Sequence, residues 1–209
     1  MPKRVDIVER RRVHEGFFKL DVLKLRHELF AGGMSDLLTR ELWIQRGAVT
    51  VLPYDPALDA VVLIEQFRMG AVETPEGPWL TEGVAGLLDE GEAPEQTAAR
   101  EVREECGLEL GRLDFAGVYL SSPGTTSERV HAYVGEVEAP PLAPGGEGTR
   151  GGLATEHEDI LVRVVPFDEA VALFRRGGIV AANTVIPLQH LMLNRERLRR
   201  DWQRPAQDA

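Results

Sequence analysis

The sequence predicts a mixed α/β (α+β) fold, a sandwich of helices around a β-sheet preceded by a small antiparallel sheet. Short, alternating, β-prone runs fill the first 46 residues, apolar strand-like runs follow, and helical patterns lie between and after those strands. The composition permits such a fold. With 209 residues, 43% hydrophobic and 28% charged, the chain suits one ordinary domain with a proper core, or one such domain with a smaller appendage. The expected division is residues 1–46 for the small sheet and 47–209 for the main domain.

In the first part, RVDIVERRRV, FFKLDVLKLRHELF and TRELWIQRG read as hairpin strands, broken by His14-Glu15-Gly16 and by AGGMSD. AVTVLPYD and AVVLIEQFRM are two more apolar strands, joined by the turn-rich DPALD; LDFAGVYLSSPG and RVHAYVGEV come later. Residues 139–152, APPLAPGGEGTRGG, are expected to join neither a ladder nor a helix. A loop of that length in a compact domain is more often a functional lid or a disordered tip than filler. DILVRVVPF then reads as a strand, and DEAVALFRRGG as a helix closed by glycine. NTVIPLQHLMLNRERLRRDW reads as a final helix, with Asn183 as N-cap and Pro187 tolerated near the first turn. No internal repeat is present.

Several function classes are excluded. No apolar run approaches the roughly 20 residues of a membrane helix, and MPKRVDIVERRR has no apolar signal-peptide core behind its charges. The single cysteine, Cys106, cannot form an internal disulfide, which fits a reducing cytoplasm. A net charge of −10 and a pI near 5.1, without a local basic patch, argue against nucleic acid as a partner. The same charge repels small phosphorylated substrates, so an anion site must bring arginines or a metal.

Residues 85–108, AGLLDEGEAPEQTAAREVREECGL, crowd Asp89, Glu90, Glu92, Glu95, Glu101, Glu104 and Glu105 into one loop and helix. Pro94 suits a first helical turn, Glu95 the positive end of the dipole, and Gly107 a left-handed stop. Ala98, Ala99 and Val102 make the apolar side, while Glu101 and Glu105, four apart, share one face with Glu104 beside them. Like charges at that spacing cost only a few tenths of a kcal/mol each, so energy alone leaves a plain solvated acidic face open.

The spacing as a whole decides between the readings. From Gly86 the pattern runs five residues to Glu92, seven to Arg100-Glu101-Val102, one to Glu104-Glu105, and one to Gly107-Leu108. This resembles the Nudix box with no position missing. Clustered carboxylates suit a hard divalent cation, Gly86 admits close backbone approach, and Arg100 can orient its glutamates by charge-assisted hydrogen bonds. The resemblance implies an α/β/α sandwich that hydrolyses a nucleoside diphosphate linked to another group. It further implies Mg²⁺ as cofactor, with Mn²⁺ or another divalent cation in substitution. Its ligands are Glu101 and Glu105, the carbonyl of Ala85, and an assisting Glu104. Glu92 and Arg100, with Gly86 and Gly107, match the positions that hold the loop–helix motif together.

Beyond the box, Pro123 stands 16 residues after Gly107 in SSPGTTSER. That proline, the N-terminal GFFKLD and GGMSDLLTRELWIQRG, and TEHEDILVRVV resemble the ADP-ribose pyrophosphatase subfamily over about residues 14–202. The resemblance implies a homodimer joined through the N-terminal sheet. Substrate contacts fall on Arg40 (from the partner subunit), Arg68, Glu128, Leu87 and one of Phe17 or Phe18, with Phe17 chosen. Taken alone, a strand-end arginine reads as a surface solubiliser, an aromatic pair as packing, and Glu128 as a partner for Arg129. Glu156, in the loop before the last strand, matches the family's base, and Glu158 assists.

The expected reaction is Mg²⁺-dependent hydrolysis of ADP-ribose, a small nucleoside diphosphate sugar, to AMP and ribose 5-phosphate. The alternatives are the same chemistry on GDP-mannose or a related sugar, and a non-catalytic ADP-ribose sensor, against which the intact run from Arg100 to Glu105 argues. Cys106 and His157 receive no role.

Overall fold

The computed structural model describes residues 3–141, 148–153, 155 and 157–203. The chain divides into two compact units, Met1–Gly47 with Leu120–Arg129, and Ala48–Tyr119 with Val130–Ala209. The sequence reading placed only residues 1–46 in the small unit; the second segment joins it through backbone pairing that no periodicity announces.

In the small unit, β1 (Val5–Glu15), β2 (Lys19–His27) and β3 (Leu38–Ile44) form an antiparallel sheet in the order β1-β2-β3. Asp21 of β2 is 1% exposed and accepts hydrogen bonds from Arg10 Nε at 2.5 Å and from Arg12 Nε. A buried carboxylate requires such partners. The Leu120–Arg129 segment is tied in at Trp43, whose N–H donates to the Thr125 carbonyl at 2.8 Å and whose carbonyl accepts the Ser127 N–H at 3.0 Å. Val5, Ile7, Val8, Phe17, Phe18 and Phe30 remain exposed on this unit.

The larger unit is built on β4 (Ala48–Asp55), buried at every residue, as its mostly apolar run requires. Asp55 makes the turn out of it, accepting the Ala57 and Leu58 N–H groups at 2.8 and 2.9 Å. Then follow β5 (Ala60–Phe67), β6 (Trp79–Glu82), β7 (Val84–Leu87), α1 (Pro94–Cys106), β8 (Leu113–Leu120), β9 (Arg129–Glu136), β10 (Thr149–Gly151), β11 (Ile160–Pro166), α2 (Phe167–Arg175) and α3 (Ala182–Trp202). The main sheet runs β10-β11-β5-β4-β9-β8. β4 and β5 pair only at Tyr54–Val61 and Asp55–Ala60. Beyond that point they part, β7 pairing with β4 and β6 with β5.

The period of two along the strands sends alternate residues to two cores. Val49, Val51, Val62, Ile64, Val84 and Tyr133 meet Ala98 and Val102 of α1. Leu52, Tyr54, Val61, Leu63 and Val134 meet Ala170 and Val171 of α2 and Leu188, Leu191 and Leu198 of α3. The larger unit is therefore the expected α/β/α sandwich.

Three expectations are corrected. Residues 139–152 do contribute a strand, since β10 pairs with β11 from Thr149–Val162 to Gly151–Ile160. A ladder needs only backbone groups, and glycine permits the approach: a Cβ at Gly148 would meet Leu161 Cδ1 at 2.6 Å. Residues 142–147 of that stretch lie outside the described residues. Asn183 is not the N-cap of α3. Ala181 holds that place, without a side-chain hydrogen bond, and Asn183 lies inside the first turn. Finally, β6 and β7 were not foreseen, because four-residue strands give too little alternation to read.

Candidate active site

The acidic loop and α1 meet at the end of β7, where the sheet is forked. Helix α1 starts at Pro94, its first turn steadied by Gln96 Oε1, which accepts the Ala93 N–H at 3.0 Å. It ends at Gly107, which adopts φ +67°, a left-handed conformation that favours glycine. Gly86 in β7 faces the helix so closely that a Cβ there would overlap the Glu101 carboxylate.

Arg100 is the hub of the motif. Its Nη1 donates to Glu101 Oε1 at 2.8 Å and to Glu104 Oε2 at 2.9 Å. Its Nε and Nη2 donate to Glu92 at 3.3 Å each, and Nη2 reaches the Leu87 carbonyl at 3.3 Å. Thr97 Oγ1 also donates to Glu92, at 2.7 Å. One guanidinium thus joins the end of β7, the loop and the exposed side of α1, and the Glu92 hydrogen bond above all raises its own pKa.

Glu105 is 2% exposed, and its Oε2 has no hydrogen-bond partner among the described residues. Burial, and then the charges of Glu101 and Glu158, push its carboxyl up to about 9, against Arg68 and the Ala85 N–H. Burial likewise lifts Glu101 to about 7, opposed by Arg100 and reinforced by Glu104 and Glu158. The Glu158 carboxylate accepts the Leu153 N–H at 3.1 Å. Four glutamates from α1 and the approach to β11 therefore repel one another in a poorly hydrated place, an arrangement that added positive charge relieves. The Cys106 thiol, pushed up to about 12 by burial and Glu105, is inert.

No three His, Cys, Asp or Glu side chains among the described residues are drawn into a ready metal-ligand group, since Arg100 engages Glu101 and Glu104. The donor chemistry nevertheless fits a hard divalent cation, because the donors are all oxygen and a buried carboxylate oxygen stands unpaired.

Arg68 follows β5, and its Nε donates to Glu82 Oε2 at 2.5 Å. Its charge acts on Glu105. Ala85, Gly86, Leu87, Glu92, Arg100, Glu101, Glu104, Glu105, Gly107, Glu158 and Arg68 thus all belong to the larger unit. Phe17, Arg40 and Glu128 belong to the smaller one. There Phe17 is 83% exposed and packs edge-on against Phe18, which packs edge-on against Trp43. Arg40 Nη1 donates to the Thr39 carbonyl at 2.8 Å, and the Glu128 N–H donates to Thr126 Oγ1 at 3.2 Å. Glu156 lies outside the described residues. Sequence reasoning passed over Glu82, 3% exposed beside Arg68, and the only available signal was a carboxylate inside a short apolar run. A hollow of about 630 Å³ beside α2, lined by Phe167, Val171, Arg175, Arg176 and Met192 among others, contains no carboxylate cluster.

Comparison with known proteins gives the family. Residues 44–184 match the NUDIX domain model. The chain is 45% identical over 198 residues to an ADP-ribose pyrophosphatase of Escherichia coli K12, covering 95% of this chain and 92% of that one. It is 31% identical over 194 residues to a GDP-mannose pyrophosphatase of Pectobacterium atrosepticum, covering 92% and 96%. A solved structure described as an ADP compounds hydrolase superposes with a TM-score of 0.66 at 20% identity, over 95% of this chain and 96% of that one, a likeness of fold.

Proposed function

The chain belongs to the Nudix family, and on that premise we propose that it is a divalent-cation-dependent hydrolase that splits ADP-ribose into AMP and ribose 5-phosphate. The observation that carries the substrate is the 45% identity to an ADP-ribose pyrophosphatase, which extends over 95% of the chain. GDP-mannose is the second reading, favoured by the relative at 31% identity.

In this reading Glu101, Glu105 and the Ala85 carbonyl, with Glu104 assisting, hold Mg²⁺ or a substituting cation. When bound, the cation neutralises diphosphate charge and renders the attacked phosphorus more electrophilic. Arg100 and Glu92 keep the loop and helix in register while Gly86 leaves room for the Glu101 carboxylate. Arg68 offers its guanidinium to the anionic substrate, and Leu87 and Glu128 are taken as further substrate contacts. Glu156, assisted by Glu158, takes a proton from the attacking water. The water oxygen bonds to one phosphorus, the bridging P–O bond to it breaks, and two phosphomonoesters leave. Arg40 of the partner subunit and Phe17 of the partner subunit complete the site in a homodimer. The single cysteine, Cys106, fits a reducing cytoplasm as the place where the enzyme works.

A panel of nucleoside diphosphate sugars with Mg²⁺, products separated by chromatography, tests the reading. ADP-ribose should show the highest kcat/KM and yield AMP with ribose 5-phosphate. Preference for GDP-mannose would select the second reading, and binding without turnover a sensor.

A further inference from the structure

Arg68 does not stand alone. Its Nε donates to Glu82 Oε2 at 2.5 Å, and the other oxygen of that carboxylate accepts Asn183 Nδ2 at 3.1 Å. Asn183 is itself held, since Thr184 Oγ1 donates to its Oδ1 at 3.0 Å while accepting the Gly83 N–H at 2.8 Å. Glu82 is 3% exposed and Thr184 is fully buried. The chain of bonds therefore runs from the first turn of α3, through a buried carboxylate, to a guanidinium whose charge acts on Glu105.

Among the described residues, neither Nη atom of Arg68 has a hydrogen-bond partner. A guanidinium is planar, so a bond that fixes Nε fixes the direction of the Nη edge as well. That edge carries the paired donors that match a phosphate. Glu82 is suited to this task because both of its neighbours, Arg68 Nε and Asn183 Nδ2, are donors and both of its oxygens are acceptors.

We propose that Glu82 is a positioning residue for the diphosphate of the substrate: locked by Asn183 at the start of α3, it turns the free edge of Arg68 toward the phosphates. This rests on the functional reading above. It also assigns a role to the amino end of α3, whose N-cap Ala181 makes no side-chain hydrogen bond.

The donor and acceptor pattern supplies the test. Glu82→Gln leaves one acceptor and adds a donor, so one of its two partners is lost. Glu82→Gln with Asn183→Asp exchanges carboxylate and amide, and every donor again faces an acceptor. Steady-state kinetics on ADP-ribose with Mg²⁺ and thermal midpoints are measured for both variants, for Arg68→Ala, and for Arg68→Ala/Glu82→Gln, and the Arg68 Nε–H resonance for wild type and the two variants that keep Arg68. Glu82→Gln should lower kcat/KM by roughly 10- to 100-fold, the range for losing a hydrogen bond to a charged group. The loss should fall mainly on KM, and the Arg68 Nε–H signal should shift. The exchanged pair should recover most of the loss, and Glu82→Gln should add almost nothing in the Arg68→Ala background. A folded Glu82→Gln within twofold of wild type, or a loss that adds in full to that of Arg68→Ala, overturns the proposal alone. A wild-type protein that hydrolyses no nucleoside diphosphate sugar overturns the functional reading, and the proposal with it.

Discussion

Thr50 and Asn183, on β4 and α3, meet through a single bond: the Thr50 hydroxyl donates to the Asn183 backbone carbonyl at 2.6 Å. That carbonyl would ordinarily accept the N–H four residues on, but the residue there is Pro187, inside the helix, which has none. A strand side chain thus supplies the hydrogen bond that the helix lacks. Thr50→Val keeps the shape and removes the donor, and should lower stability by about 1–3 kcal/mol. Adding Pro187→Ala restores an N–H and should recover most of that loss. Urea midpoints measure both, and a double variant as unstable as Thr50→Val would reject the pairing.

Glu105→Gln removes a buried carboxyl whose ionisation is disfavoured by burial and by the neighbouring glutamates. We expect kcat to fall by orders of magnitude with the fold retained, since a cation ligand contributes several kcal/mol of charge stabilisation. Stability in EDTA should rise slightly. Turnover near wild type at saturating Mg²⁺ would remove Glu105 from the proposed ligand set.

The two loop glutamates should separate in rate. Glu156→Gln should lower kcat by roughly 10²–10⁴-fold, the usual loss of a positioned base, and by more than Glu158→Gln. Calorimetry should find Mg²⁺ binding little changed in Glu156→Gln. The reverse order of losses would exchange the roles; no loss in either would assign activation of the water to the box glutamates and the cation.

Asp59 makes stability depend on acid. Burial pushes its carboxyl up, but hydrogen bonds from Arg195 and Tyr54 and the charges of Arg195 and Arg199 outweigh it, so its pKa lies below the ordinary value. A depressed carboxylate stabilises the fold above its unfolded pKa, about 3.9, and that contribution disappears as pH falls through the lower folded value. The difference in urea midpoint between wild type and Asp59→Asn should therefore be constant from pH 7 to about 5 and shrink below it. Asparagine tolerates the φ of +54° at this position. A difference unchanged at pH 2 would contradict the assignment.

Light scattering should find a dimer. The small unit exposes Val5, Ile7, Val8, Phe17 and Phe30, more apolar surface than a three-stranded sheet leaves open without a partner. Arg40→Ala should lower kcat/KM without changing the mass. A fully active monomer would reject both the dimer and the role of Arg40.

Much of this was legible in the sequence, for reasons that differ by element. β4 and β5 were readable because long apolar runs between turns leave few alternatives, and α1 because Pro94, Gly107 and the glutamate spacing mark both ends and one face. Glu105 was readable through its spacing. Glu82 was not, because its importance depends on Arg68 and Asn183, which lie 14 and 101 residues away. The start of α3 was misplaced for the same reason: Asn183 suits a cap by propensity, but Glu82 and Thr50 offer its side chain and carbonyl better partners. β10 was hidden because backbone pairing in a glycine-rich stretch leaves no side-chain pattern.

The parting of β4 and β5 bears on how the site behaves before any ligand arrives. Because β7 fills the gap, Ala85 and Gly86 lie in a ladder against Thr50 and Val49. Amides of β7 that face β4 open to solvent only when that pairing opens, so they should exchange with deuterium more slowly than the Ala85 N–H, which faces Glu105 instead. Cation and substrate would then meet a backbone already ordered, and binding there would incur little loss of conformational entropy.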